Sequence, residues 1–262
     1  LGVSMTQPDH GSDLANIETS AVDMGDYYLV NGTKTFISNG MVADALVVAV
    51  RTDPNASKPH RGISLLIIET NRDGVSRHLI PKIGLQAQDT AEVSFENVKV
   101  PKENLIGEVN RGFYILMHHL EAERIMAAYG SIGTVEHTLS LTADYVKQRK
   151  IFGKPLSSFQ NTQFKMAEMY TEYSLALNFL DNVLLDYMAG KTDINTECSM
   201  IKYYTSELAF SVADRCVQMF GGYGISSEMP ISRQFCDARI MRFMGGTTET
   251  QIGVVAGGLG IK

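Results

Sequence analysis

The sequence predicts an α+β protein: a β-barrel or sandwich domain over residues 1–106, followed by a C-terminal four-helix bundle over residues 107–262. Three observations carry that expectation. Up to about Ile106 the chain runs in short β-rich segments separated by turn signals. After Pro101 the apolar residues recur with a period of about 3.6, the spacing of one helix face. The helical stretches are long and their connections short, which favours antiparallel neighbours in an up-and-down bundle.

In the first half, Tyr27-Tyr28-Leu29-Val30 and Thr33-Lys34-Thr35-Phe36-Ile37 flank Asn31-Gly32, a pair favoured in tight hairpin turns, so a hairpin is expected there. Further strand-like runs follow at 45–51, 62–69, 75–81 and 91–100, spaced like the strands of a compact barrel or sandwich. The segment 52–61, with Asp53-Pro54-Asn55 and Lys58-Pro59, reads as a solvated excursion. In the second half, helices are expected over 112–149, 158–188, 197–220 and 231–244, with connections at Gly153-Lys154-Pro155, Gly190-Lys191-Thr192-Asp193 and Gly221-Gly222-Tyr223-Gly224. Met166, Met169 and Phe179 lie at helical spacing and read as packing.

Composition excludes several functions. Of the 262 residues, 44% are hydrophobic, ample for a sizeable core. A formal net charge of -6 and scattered Lys and Arg supply no basic field, so nucleic acid is not expected as a partner. Cys198, Cys216 and Cys236 show no CxxC or Cys/His spacing and read as reduced core residues of a reducing compartment. No uninterrupted apolar run reaches the ~18 residues of a membrane span, and the start lacks the basic-then-apolar pattern of a signal peptide. Leu1 opens abruptly in strand-like sequence, which reads as a fragment.

Glu123, followed at once by Arg124 on an otherwise apolar helix, is either half buried and tuned or part of a solvated pair; a desolvated carboxylate of raised pKa could take a proton from a weak carbon acid. Thr6-Gln7-Pro8-Asp9-His10-Gly11-Ser12-Asp13 gathers hydroxyls and a glycine that could converge on a polar ring or phosphate, or form a plain polar turn. Phe36-Ile37-Ser38-Asn39-Gly40 offers an aromatic face and a hydroxyl, or simply a strand end. Arg149 and Lys150 stand at a helix C-terminus, where the dipole favours cations with or without a ligand. Gly221-Gly222-Tyr223-Gly224 could end a helix and let backbone approach a phosphate. Gly245-Gly246-Thr247-Thr248-Glu249 could turn free N–H groups toward an oxyanion or act as an N-cap. His10, His118 and His119 lack second ligands at useful spacing, so neither a metal site nor a catalytic triad is expected, and no dinucleotide or P-loop glycine motif is present.

In this order the segments resemble the acyl-CoA dehydrogenase family of flavoenzymes. Residues 6–13 are similar to its TEPxAGSD signature, and 34–40 to its K-x-[WF]-I-[ST]-N-G strand. Residues 148–154 resemble its RxxFGK segment, 218–224 its QxxGGxG segment, and 245–249 its GTxE turn. The family has an N-terminal helical domain, a middle β domain and a C-terminal bundle, and the match covers the last two. The resemblance implies FAD, with Thr6 and Ser12 hydrogen-bonding the flavin ring, Phe36 covering its face and Ser38 touching its edge. It assigns Arg149, Phe152, Gln160, Gln218, Gly221 and Gly222 to the pyrophosphate and adenosine half of FAD in a neighbouring subunit, and Thr247 and Glu249 to the same cofactor. A homodimer or homotetramer follows from that sharing.

The implied reaction is FAD-dependent α,β-dehydrogenation of an acyl-CoA thioester in fatty-acid or branched-chain acyl-CoA oxidation. Many members carry the base immediately before the Gly-Thr of the turn, where this chain has Gly245. Long-chain and isovaleryl types instead place a glutamate on the first bundle helix, directly before an arginine, and Glu123-Arg124 matches that pattern. Gly245 would still polarise the thioester carbonyl through its backbone N–H. Arg124 and Ser12 would lie near the CoA substrate, Arg124 also holding the helix in register. Gln7 departs from the family's usual Glu. Glu96 sits where the family carries an acid facing electron-transferring flavoprotein, the implied electron acceptor. The setting implied is bacterial cytoplasm or, alternatively, the mitochondrial matrix; the competing functions are a non-catalytic FAD-binding subunit and an acyl-CoA oxidase.

Overall fold

The computed structural model describes residues 1–261. The protein is α+β, and its chain divides into two compact units, Leu1–His119 and the remainder from Leu120 onward.

The first unit is built on β1 (Gly2–Ser4), β2 (Ser20–Asp23), β3 (Tyr27–Ser38), β4 (Ala45–Arg51), β5 (Ile63–Glu69), β6 (Val75–Leu79), β7 (Thr90–Pro101) and β8 (Leu105–Ile106). One sheet runs in the order β6-β7-β3-β2-β4-β5-β8, with β1 alongside β4. Alternate side chains of these strands, among them Tyr28, Val30, Leu46, Val48, Val93 and Phe95, form the main core.

The hairpin expected at Asn31-Gly32 does not exist. β3 runs straight through the pair, and the turn falls instead at Gly25, whose N–H donates to Asp23 Oδ1 at 2.9 Å. Gly32 has another purpose. With φ of +143° it sits in a register shift between β3 and β7, and a Cβ there would stand 2.7 Å from the Thr19 backbone, so only glycine permits the approach. Asn31 Oδ1 makes good the interrupted ladder by accepting from the Asn97 N–H at 2.8 Å.

A helix running unbroken through 112–149 is not formed either. α1 (Gly112–His118) stops at His119, whose N–H folds back on Leu116 O at 3.1 Å. The physical reason is packing: Phe113, Ile115 and Leu116 cover a small second core of Ile17, Ala49, Ile63 and Leu65, which holds α1 to the first unit.

The second unit contains α2 (Leu120–Gln148), a small antiparallel pair β9 (Lys150–Ile151) and β10 (Lys154–Pro155), α3 (Gln160–Met188), α4 (Asn195–Phe220), α5 (Pro230–Met241) and α6 (Thr248–Gly258). Its core interleaves Ile125, Ile132 and Leu139 of α2 with Met169 and Leu180 of α3 and Ile201, Val212 and Cys216 of α4. Met166 and Met169 pack as the periodicity predicts, whereas Phe179 is 39% exposed. Proline at the start of α5 and a left-handed Gly221 after α4 mark those helix boundaries.

Candidate active site

In the first unit the predicted residues gather around a bulge in β3. Lys34 pairs with Val93 and Ile37 with Ala91, and the two residues between them are displaced from the ladder. Phe36 adopts φ of +57° and leaves its ring 65% exposed. A bulky side chain held left-handed costs about 1–3 kcal/mol, and such strain concentrates at functional positions. The Thr35 N–H donates to Thr6 O at 2.9 Å, so the Thr6 segment and the Phe36 bulge are one assembly. Thr6 and Ser38 are half-buried, and Ser12 is exposed on the loop beyond.

Beneath this assembly lies Lys34, fully buried, whose Nζ donates to Met5 O at 2.8 Å and to Gln7 Oε1 at 3.3 Å. Burial pushes its titration down to about 7. The same Gln7 oxygen accepts the Glu18 and Thr19 N–H groups at 2.9 and 3.1 Å. Gln7 therefore ties three chain segments together, a part the motif alone did not disclose.

In the second unit, Glu123 stands in the first turn of α2. Of the two readings of this acid the structure gives the solvated one for the described chain: Glu123 and Met126 are exposed while Arg124, Ile125 and Ala128 face the core. The left-handed Gly245, φ +64°, is its neighbour through one intermediate. A Cβ on Gly245 would lie 3.6 Å from the Ala127 Cβ, and Ala127 follows Glu123 by one helical turn on the same face. Arg124 is 5% exposed and bonds Asn195 Oδ1 at the start of α4, a contact that fixes helix register. Its Nε has no partner among the described residues, and burial pushes its titration down against the raising influence of Cys198, Glu121 and Glu123.

The turn itself is held by side chains not foreseen from the sequence. Lys202 Nζ donates to Gly246 O at 2.5 Å, and Gln251 Nε2 donates to Gly245 O at 2.8 Å. Glu207 Oε1 accepts from Arg242 Nε and Thr248 Oγ1, both at 2.6 Å. Thr247 caps α6 by accepting the Thr250 N–H. The Glu249 carboxyl is held below its usual range, first by a backbone N–H and then by the Thr247 hydroxyl. One signal was available for Lys202: it occupies the apolar stripe of α4 shared by Cys198, Ile201, Thr205 and Ala209, where an unexplained lysine needs a buried partner.

A second group of predicted residues lines a cleft of about 620 Å³, with Arg149, Gln218, Gly221, Gly222 and Tyr223 among its walls and no acidic residue. The Arg149 guanidinium lies 5.9 Å from the Tyr223 ring centroid. Nothing occupies the space where side chains of Gly221 and Gly222 would project. Phe152 stands at the tip between β9 and β10 with φ of +49° and 93% exposure, a second bulky residue in a strained, solvent-facing conformation. Gln160 opens α3 and is exposed. The 26-residue separation along α2 places the Glu123 and Arg149 ends on the order of 40 Å apart, so these groups form two sites on one chain.

Among the described residues no group of three or more His, Cys, Asp or Glu is placed to hold a metal, and no helix is long and apolar enough to cross a membrane. The three cysteines are free thiols.

Two family models match the chain: "Acyl-CoA dehydrogenase, middle domain" over residues 2–98 and "Acyl-CoA dehydrogenase, C-terminal domain" over residues 110–260. The chain belongs to the acyl-CoA dehydrogenase family. Within this family it is 41% identical over 255 residues to the mitochondrial long-chain specific acyl-CoA dehydrogenase of Sus scrofa, covering 97% of this chain and 59% of the relative. It is 39% identical over 261 residues to the caffeyl-CoA reductase–Etf complex subunit CarC of Acetobacterium woodii, covering 98% of this chain and 67% of that subunit. Among solved structures, the acyl-CoA dehydrogenase of Geobacillus kaustophilus superposes with a TM-score of 0.97 at 49% identity, over 98% of this chain and 68% of that one. The chain thus spans about 59% of the length of the long-chain relatives it matches.

Proposed function

We propose that the protein of which this chain is part is an FAD-dependent acyl-CoA dehydrogenase of the long-chain or isovaleryl type, with Glu123 as its base. The observation that carries this reading is the placement of an acid-free Gly245 turn against Ala127, one helical turn from Glu123 on the same face. In this reading Glu123 supplies the carboxylate and Gly245 the backbone N–H donor, the pair needed to remove an α-proton from a thioester.

The residues present fit the cofactor. The strained, exposed Phe36 offers an aromatic face beside Thr6 and Ser38, with Ser12 on the adjoining loop, as a flavin ring requires. The cationic, acid-free cleft of Arg149, Gln218, Gly221 and Gly222, with Phe152 and Gln160 close by in sequence, suits a pyrophosphate and adenosine. Thr247 and Glu249 would meet the same cofactor from the turn. Since the two ends of α2 are on the order of 40 Å apart, the Arg149 cleft serves a neighbouring subunit's cofactor in this reading, which makes the protein a homodimer or homotetramer.

In the reaction, the Gly245 N–H donates to the thioester oxygen and stabilises the charge that develops there. The α-carbon becomes acidic, and Glu123 accepts its proton, passing from carboxylate to carboxylic acid. Bound FAD supplies the two-electron acceptor for the β-hydride, so that a trans-2-enoyl-CoA results. Glu123 is exposed in this chain, so the desolvation that strengthens it as a base comes from bound substrate and cofactor. Arg124 acts through Asn195 to keep α2 in register, and Ser12, exposed on its loop, is the second residue proposed to meet substrate. Electron-transferring flavoprotein is the proposed acceptor, with Glu96, exposed on β7, on its docking side. A bacterial cytoplasm or mitochondrial matrix provides the reducing setting.

Anaerobic addition of acyl-CoA to the FAD-loaded protein is expected to bleach the oxidised flavin band. Glu123→Gln should abolish that response while FAD stays bound, and retained bleaching would remove Glu123 from the mechanism. FAD binding without bleaching at any chain length identifies a non-catalytic subunit instead, and stoichiometric peroxide during turnover identifies an oxidase.

A further inference from the structure

The Gly245–Gly246 turn presents a physical problem. Two consecutive glycines at φ of +64° and +94° carry the largest backbone freedom available to a chain, yet a polarising N–H must be aimed to within a fraction of an ångström. Their own side chains contribute nothing to that aim, so it must be imposed from outside.

Two buried side chains impose it. Lys202, 1% exposed, donates to Gly246 O at 2.5 Å from α4; Gln251, also 1% exposed, donates to Gly245 O at 2.8 Å from α6. Each carbonyl lies in a planar trans peptide whose N–H points the opposite way. Pinning both carbonyls inward therefore fixes two successive peptide planes, which carry the Gly246 and Thr247 N–H groups, and holds in place the left-handed Gly245 from which its own N–H projects. None of the Gly245, Gly246 and Thr247 N–H groups has a protein acceptor among the described residues. Charge assistance makes the lysine bond the stronger of the pair.

We infer that Lys202 is a positioning residue for the proposed dehydrogenation: with Gln251 it clamps the consecutive carbonyls of Gly245 and Gly246 and so aims the turn's free N–H groups at the thioester oxygen. The inference rests on the dehydrogenase reading and deepens it. Lys202 is buried and bonds the Gly246 carbonyl, so its proposed effect reaches the chemistry through the turn. A Cβ at 246 would come within 2.4 Å of Gln251 Nε2, so a side chain there would have to displace this half of the clamp.

The test uses the FAD-loaded full chain and an acyl-CoA carrying carbon-13 at the thioester carbonyl. In a Glu123→Gln background, where turnover is blocked, the carbonyl stretch of the bound thioester reads its polarisation directly. Lys202→Met should lose at least about half of the shift seen with the intact turn. In the otherwise native protein, the same change should slow flavin reduction about tenfold or more while KM moves less than about twofold, the signature of an interaction made mainly in the transition state. Lys202→Arg, which keeps a charged donor, should recover most of that rate. A Lys202→Met protein that holds FAD, keeps the full carbonyl shift and reduces its flavin at the native rate overturns the inference. Should Lys202→Met fail to fold, Gln251→Met removes the other half of the clamp, and an unchanged shift and rate in that variant overturns it equally. Native protein that never bleaches sinks the dehydrogenase reading and this inference together, whereas native bleaching with indifferent Lys202 and Gln251 variants sinks the inference alone.

Discussion

Each unit buries one lysine beneath the segment that carries its candidate site, and the two are solved differently. Lys34 holds Met5 O and Gln7 Oε1, both neutral, and its titration is pushed down by burial to about 7. Lys202 holds Gly246 O, but Glu207 and Glu249 lie near enough to oppose the burial, and its titration stops at about 8 despite the repulsion of Arg124. A carbonyl can direct a buried ammonium, but only an acid offsets its desolvation. In the family resemblance the position of Gln7 ordinarily carries Glu, so this chain has given up the counter-charge in one unit and kept acids near the lysine in the other.

The largest expected effect comes from restoring that charge. Gln7→Glu should stabilise the protein in urea unfolding at pH 7 by about 2 kcal/mol, with the gain shrinking by pH 9.5, where Lys34 of the native chain is neutral in the folded state and most of its burial penalty has gone. An equal gain at both pH values would mean that Lys34 is not the partner concerned. The sign for the native chain follows from the same shift. Between the folded value of about 7 and the ordinary 10.5, the unfolded state binds more protons at Lys34, so stability rises with pH across that window and is lost as pH falls toward 7. Lys202 shares the sign but begins near 8. Lys34→Met should therefore flatten the rise between pH 7 and 8, where the slope from this group approaches about 1.4 kcal/mol per pH unit, and thermal scans of Lys34→Met and Lys202→Met side by side separate the two. A Lys34→Met profile parallel to the native one would break the comparison.

The smallest effects concern the left-handed backbone above each lysine. Phe36→Gly should raise the stability of the free chain by about 1 kcal/mol by relieving φ of +57°, while weakening FAD binding measured by flavin fluorescence titration. Gly245→Ala should do the reverse and cost about 1 kcal/mol, because φ of +64° is the only obstacle: the added Cβ would meet Ala127 and Lys202 at ordinary contact distances of 3.6 and 3.8 Å. A stability loss at Phe36→Gly would show that its ring packs on the chain and does not wait for a ligand.

Much of the architecture was legible because period and punctuation are local. The change of apolar spacing after Pro101 announces the bundle, and Gly221 ends α4 where the glycine cluster indicates. Asn31-Gly32 misled because a favoured turn pair is equally suited to a bulge, and Thr19, twelve or more residues away, decides between them by needing the room that Gly32 leaves. His119 interrupts the helical run for a similar reason, since α1 is claimed by the first unit's small core.

For the site, the sequence by itself determined which chemistry is present: an acid before an arginine at 123, no acid at 245, and five ordered motifs of one family. Those are properties of residue identity and order, which survive in a string. Only the tertiary structure decided that Gly245 leans on the helix turn after Glu123, that Phe36 and Phe152 are strained and exposed, and that Lys34 and Lys202 are buried under the segments they hold. Such facts depend on contacts between residues dozens of positions apart, and a lysine in an apolar stripe does not disclose which distant carbonyl will receive it.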